Sequence, residues 1–342
     1  MIFRFKENRV RRAYLGGKRI DEFSGKTECV DSNKPEDWLA SAVEAFNPDY
    51  ESIENEGISI LDDGRLFKNI LEEDPESILG ERLNRLHSGK TSTLVKLLDS
   101  AERLVIQCHP TVDFAKKHFN SNFGKTECWY FLSTEEDAYV YFGFKPGITR
   151  EKWVSLFENQ NIEGMLDCLH KIPVKPGELW FVDGGIPHAI GGGCFMIELQ
   201  EPSDLMVIPE KYTPSGRKLS EQKLHGGLGF ERMFDCFIYE GYTIEELKAR
   251  YFRKYEPKDN KLVHIVDETL TDKFAMQGLR ICGTSKINLG DTYAVCVVTD
   301  GRCTVTDNCE EISLEKGNSF LIAANSGEIE INGCAEIVLC MA

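Results

Sequence analysis

Along residues 1–60 short apolar runs alternate with glycine and charged breaks, as in Tyr14-Leu15-Gly16-Gly17-Lys18 and Trp38-Leu39-Ala40-Ser41-Ala42-Val43, a pattern of strands and loops. A helical period follows over 66–73 and again over 91–104, where Leu94, Val95, Leu97, Leu98 and Ala101 recur at helix spacing, and the stretch 74–89 between them reads as a polar linker. Leu104, Val105 and Ile106 then favour a strand to His109, ended by Pro110, which cannot donate to a sheet ladder. Further strands are expected over 127–132 and 139–144. A turn at Lys145-Pro146-Gly147 leads to a helical pair at 149–159 and 161–170, with Thr149 as N-cap.

β structure returns over 174–200. Lys175-Pro176-Gly177 turns into an apolar strand at 179–182, Asp183-Gly184-Gly185 turns again, His188-Ala189-Ile190 opens a strand, and Gly191-Gly192-Gly193 predicts a hairpin into 194–200. Residues 209–260 are polar and partly helix-prone, most clearly at 244–251. From Leu279 onward, short strands with turn signals spaced ~8–12 residues apart predict a small sandwich or barrel. The stretches 175–182 and 315–322 share a charge, a turn glycine and an apolar strand; eleven residues beyond the glycine the first has His188 and the second Glu328. Two β domains of one design are expected, with a single metal centre in the first.

Composition narrows the function classes. A chain of 342 residues can hold two domains, and its formal charge of −16 argues against nucleic-acid or anionic-membrane partners. An anionic substrate would have to be held by local Lys or Arg side chains against that field. No apolar run reaches the ~18 residues of a membrane span, and Met1-Ile2-Phe3-Arg4-Phe5-Lys6 lacks a signal-peptide core, so a cytoplasmic protein is expected. The twelve cysteines form no Cys-x-x-Cys pair, and Cys236, Cys296 and Cys340 lie in apolar runs; they read as buried thiols in a reducing compartment. Nothing in the pattern sets an oligomeric state.

Alternation along a strand turns Gln107 and His109 to one face. With Glu127 at the start of the next strand and His188 at the mouth of a glycine-rich turn, four candidate metal ligands emerge: Gln107, His109, Glu127 and His188. Two imidazoles, a carboxylate and an amide oxygen suit Zn²⁺; two His and a carboxylate would also suit Fe²⁺ or Mn²⁺.

Gly177-x5-Asp183-x-Gly185-x2-His188 resembles the second motif of the cupin barrels, with Asp183 where proline is usual. Gln107-x-His109-Pro110, Gly124-Lys125-Thr126-Glu127-Cys128-Trp129-Tyr130 and Val174-Lys175-Pro176-Gly177 through His188-Ala189-Ile190-Gly191 resemble, in order, the class I mannose-6-phosphate isomerases of the short bacterial type. The resemblance implies a mainly β protein: a cupin (jelly-roll β-barrel) catalytic domain over 1–208 with helical segments at 65–103 and 149–171, a partly helical connection over 209–260, and a metal-free cupin-like domain over 261–342. It implies one Zn²⁺ per chain on Gln107, His109, Glu127 and His188, and a phosphorylated sugar as substrate. The reaction would be interconversion of mannose 6-phosphate and fructose 6-phosphate through an enediol(ate). Lys125 matches a family lysine beside the substrate, and Glu198 a glutamate of proton transfer or metal support.

One position departs from the family. Its pattern Ser-Asp-x-x-x-Arg reads Ser203-Asp204-Leu205-Met206-Val207-Ile208 here, and isoleucine neither donates hydrogen bonds nor carries charge. Lys211 and Arg217 are the nearby cations that could replace the arginine. The alternative to an active isomerase is an impaired or regulatory sugar-phosphate-binding cupin that keeps its metal.

Overall fold

The computed structural model describes residues 1–307 and 310–342. The protein is mainly β. Its N-terminal sheet has seven strands in the order Phe252–Lys254, Glu178–Val182, Glu127–Thr134, Cys194–Gln200, Leu94–Ser100, Glu36–Leu39, Arg9–Val10. A three-stranded sheet of Leu169–Pro173, Tyr139–Phe144 and His188–Ile190 completes this half, which has the two-sheet build of a cupin.

A second seven-stranded sheet runs Ile2–Arg4, Ser319–Ile322, Ala294–Thr306, Ile329–Met341, Ala275–Ile287, Leu262–Val266, with Glu311–Glu315 paired to Ala294–Thr306. Ile2–Arg4 thus belongs to the C-terminal sheet, while Phe252–Lys254, from the expected connection, extends the N-terminal one. One core cluster joins Trp129, Phe142 and Trp180 to Tyr293, Val295 and Val338; another, with Ile281, Val305, Phe320 and Leu339, fills the C-terminal half.

Several expectations are corrected. The helix predicted over 91–104 is the strand Leu94–Ser100. Its apolar residues satisfy both periods, and all seven residues are buried because the strand lies between two neighbours near the centre of the sheet. The linker 74–89 holds two short helices, Pro75–Leu79 and Glu81–His87, the first capped by Asp74 with proline at its first turn. The strand predicted over 104–109 is only a pair of isolated bridges, Gln107 to His188 and Cys108 to Val207. Gly191-Gly192-Gly193 makes no hairpin: His188–Ile190 pairs with Tyr139–Phe144, whereas Cys194–Gln200 lies between Leu94–Ser100 and Glu127–Thr134, so the turn carries the chain from one sheet to the other.

Besides the short strands Glu311–Glu315 and Ser319–Ile322, the C-terminal half has three that are longer than expected: Ala275–Ile287, Ala294–Thr306 and Ile329–Met341 have 13 residues each. They bend at glycines that read as breaks. Gly301 has φ +72°, and a Cβ there would stand 2.1 Å from the Cys334 carbonyl oxygen, so no side chain fits where the strand crosses its neighbour.

The helices Arg150–Glu158 and Ile162–Asp167 form as predicted, with the Thr149 side chain accepting from the Lys152 N–H. They cover the small sheet, packing Trp153, Phe157 and Met165 against Phe144, Phe234 and Phe237.

Candidate metal centre and its cavity

Glu127 begins its strand next to Val182 on one side and Gln200 on the other, which fixes its carboxylate at the end of the sheet. Backbone hydrogen bonds of 2.9 Å in both directions between Gln107 and His188 bring the two histidine-bearing segments together. Although no ladder forms there, side-chain alternation holds: the Cys108 thiol turns away to the Cys236 carbonyl oxygen, and His109 points the other way. The result is a cluster of His109, Glu127 and His188, all fully buried, with one candidate ligand atom of each within 4.8 Å of the others.

The histidine tautomers follow from their outer partners. His109 Nδ1 faces the Leu205 carbonyl oxygen at 3.0 Å and His188 Nδ1 the Ile186 carbonyl oxygen at 2.9 Å. A carbonyl only accepts, so each Nδ1 carries the proton and each Nε2 presents a lone pair inward. Burial, and for His188 then the neighbouring His109, lowers both histidines, His188 to about 3. Burial alone would raise Glu127, but Lys125 and then His109 outweigh it and hold the carboxylate well below the usual range. Two neutral imidazoles and an ionised carboxylate are the protonation states a divalent cation requires.

His188 Nε2 stands 3.4 Å from Glu127 Oε1, yet it has no hydrogen-bond partner. Two acceptors facing each other in a buried site repel unless a cation lies between them. The donor set therefore fits a metal. At the other corner, His109 Nε2 and Glu127 Oε2 are 3.2 Å apart, and the Lys125 ammonium bridges them, donating to His109 Nε2 at 2.9 Å and to Glu127. Trp129 Nε1 donates to Glu127 Oε1 at 3.0 Å and its ring packs edge-on against His188, closing one side.

Beside this cluster lies a partly open cavity of about 60 Å³ whose wall contains four basic side chains (Arg12, Lys96, Lys125, Lys223) and three acidic ones (Glu36, Glu198, Asp204), with Gln107 and Ile208. The positive local balance contrasts with the chain's −16. Lys96 and Glu198 face each other in register across two strands and make a 2.8 Å ion pair; Lys125 Nζ is 3.9 Å from the same carboxylate oxygen. The Arg12 guanidinium pairs with Asp204 through two hydrogen bonds of 3.1 and 3.2 Å, donates to Glu36 at 2.9 Å and lies over the Trp38 ring.

Of the residues expected to act, Gln107, Lys125 and Glu198 line this cavity and His109, Glu127 and His188 form the cluster. Lys211 and Arg217 lie elsewhere. The Lys211 ammonium sits over the rings of Phe157 and Phe230, and Arg217 stacks on Tyr50 and donates to its hydroxyl and to the Asp49 carbonyl oxygen. Ile208 is buried against Leu219 and Leu224. Sequence reasoning missed Arg12, Glu36, Lys96 and Lys223. Only Lys96 left a local signal, a lone cation inside the apolar run Leu94-Val95-Lys96-Leu97-Leu98.

Residues 267–341 match the family model described as "Mannose-6-phosphate isomerase, cupin domain". The chain is 28% identical over 246 residues to the probable mannose-6-phosphate isomerase GmuF of Bacillus subtilis, covering 72% of this chain and 73% of that protein. Its fold is that of the mannose 6-phosphate isomerase from Bacillus subtilis, with a TM-score of 0.76, 20% identity and 99% of both chains covered. A zinc-bound mannose 6-phosphate isomerase structure gives a TM-score of 0.71 at 15% identity, covering 99% of this chain and 98% of that one. The matched domain, the relatives and the shared fold agree: the proteins this chain is similar to are the cupin-type mannose-6-phosphate isomerases.

Proposed function

We propose that the protein is a zinc-dependent aldose–ketose isomerase that interconverts mannose 6-phosphate and fructose 6-phosphate. The observation that carries this reading is the buried His109, Glu127 and His188 cluster beside a cavity walled by Lys125, Lys96 and Glu198. His109, Glu127, His188 and Gln107 would hold one Zn²⁺, a reading supported by the zinc-bound state of a mannose 6-phosphate isomerase of the same fold; when bound, zinc supplies a Lewis acid for the sugar's carbonyl and hydroxyl oxygens. The rest is done by the chain. Moving a proton between C1 and C2 through an enediol(ate) needs a group that takes and returns it, and the Glu198 carboxylate is held for this by Lys96. Lys125, between the ligands and Glu198, stabilises negative charge developing on the substrate oxygens. The eleven described cysteines are all free, in keeping with a cytoplasmic enzyme; Cys309 lies outside the described residues. Among the described residues no helix is long and apolar enough to cross a membrane.

A second reading has one observation in its favour: Ile208 places an apolar side chain in the cavity wall where the family carries arginine. An impaired or regulatory sugar-phosphate binder would bind the ligand without converting it. Zinc-loaded protein incubated with mannose 6-phosphate, with fructose 6-phosphate detected by a coupled assay, separates the two. Turnover is expected; its absence with every hexose and pentose phosphate, in protein of verified metal content, rejects the isomerase.

A further inference from the structure

The cavity wall contains a buried cation that the proposed chemistry does not use. Lys223 lies on the short helix Glu221–His225 and is 7% exposed. Its ammonium has three N–H donors, yet among the described residues its hydrogen-bond partner is the Phe46 carbonyl oxygen at 3.1 Å. Among the described residues it makes no ion pair within 4 Å, unlike Lys96 with Glu198 or Arg12 with Glu36 and Asp204. A buried ammonium with a single acceptor is costly unless a ligand meets its remaining donors.

Lys223 also stands close to position 208. The Ile208 N–H donates to the Leu224 carbonyl oxygen at 2.8 Å, so position 208 lies against the residue that follows Lys223, and the side chains of Ile208 and Lys223 line the same cavity. The Ile208 side chain, packed on Leu219 and Leu224, forms the apolar back of that wall. Resting on the reading of the protein as a sugar-phosphate isomerase, we propose that Lys223 supplies the positive charge absent at position 208 and binds the phosphate group of the substrate. An ammonium is a compact point charge with rotatable donors, suited to a tetrahedral anion.

Burial holds Lys223 down to about 8, against the partial opposition of Asp204; Arg12 also lowers it, and Glu36 and Asp49 are the other charged groups that face it. Its charge is therefore lost as pH rises through about 8, and anion binding weakens in that direction.

The test titrates inorganic phosphate into zinc-loaded wild type, Lys223→Met, Lys223→Arg and the Lys223→Met, Ile208→Arg double variant by calorimetry, with melting temperatures as a folding control. A lost charge-assisted contact predicts at least about tenfold weaker phosphate binding in Lys223→Met. Lys223→Arg should stay within about threefold, and adding Ile208→Arg should recover most of the loss. The KM for mannose 6-phosphate should rise in parallel while kcat changes little. Between pH 7 and 9 phosphate affinity should fall in wild type and stay level in Lys223→Arg. Unchanged phosphate affinity in a folded Lys223→Met variant, or no phosphate binding by wild type, overturns the assignment even if the protein is an active isomerase. Conversely, a wild type without turnover removes the isomerase reading, and the phosphate titration still decides whether Lys223 binds the anion.

Discussion

The two β halves repeat one local design and fill it with opposite chemistry. The turns at Gly177 and Gly317 are both left-handed, with φ of 81° and 91°, and each opens a buried strand, Glu178–Val182 in one half and Ser319–Ile322 in the other. Beyond the first turn His188 is fully buried; beyond the second Glu328 is largely exposed and paired with Lys286 at 2.6 Å. Inside the first half lie Lys96, Glu127 and Glu198; inside the second, Ile281, Val305, Phe320 and Leu339. Strand architecture is thus indifferent to what it encloses. A few inward positions decide whether the interior is a core or a site, and the polar choice is sustained only because its charges meet partners in register, as Lys96 does Glu198.

Three substitutions test this division, from the largest effect to the smallest. Replacing His109 by Ala removes one of the inward lone pairs, so metal content should fall to background and activity by about three orders of magnitude or more; metal analysis and the coupled assay read this, and retained zinc would break the contrast between a metal half and an apolar one. In the C-terminal half, Phe320→Ala should cost about 3–5 kcal/mol in denaturant unfolding while leaving metal content and kcat/KM of the folded protein unchanged. A fall in kcat would show that this half does more than support. The third test concerns the cost of buried charge. Asp37 is raised to about 6, chiefly by burial against the hydrogen bond from the Asn8 N–H. A carboxyl raised on folding binds its proton more tightly in the native state, so its stability contribution is greatest below the unfolded value and is lost as pH rises through about 6. Asp37→Asn should therefore raise stability by on the order of 2 kcal/mol at pH 7, with the gain vanishing below about pH 4.

Much of the centre was legible in the sequence because its chemistry is local. Gln107, His109, Glu127 and His188 stand in short motifs; His109, Glu127 and His188 meet in one cluster and Gln107 lines the cavity beside it, even though the Gln107–His109 segment makes only isolated bridges. The supporting shell was less visible for physical reasons. Lys96 was hidden because a continuously apolar central strand has no two-residue period, and Leu94, Val95, Leu97 and Leu98 fit a helix equally well. Arg12 reaches Asp204 across 192 residues of sequence, and Lys223 approaches Ile208 through a turn of irregular chain, so neither pairing leaves a spacing to read. In the C-terminal half, glycines that bend a long strand look in sequence like glycines that end a short one.

The pairing of Ile2–Arg4 with Ser319–Ile322 bears on how the molecule is assembled in time. Ile2–Arg4 finds its partner strand more than three hundred positions later, in the register Ile2 to Ile322. During synthesis the N-terminal sheet can form once Phe252–Lys254 is made, but this strand waits unpaired until Ser319–Ile322 has emerged. Contacts of such long sequence separation are slow to close and expose a bare edge in the meantime. Seating that strand is then a late step that locks the two halves together, and shortening or blocking it should slow the last phase of refolding more than it disturbs the metal centre.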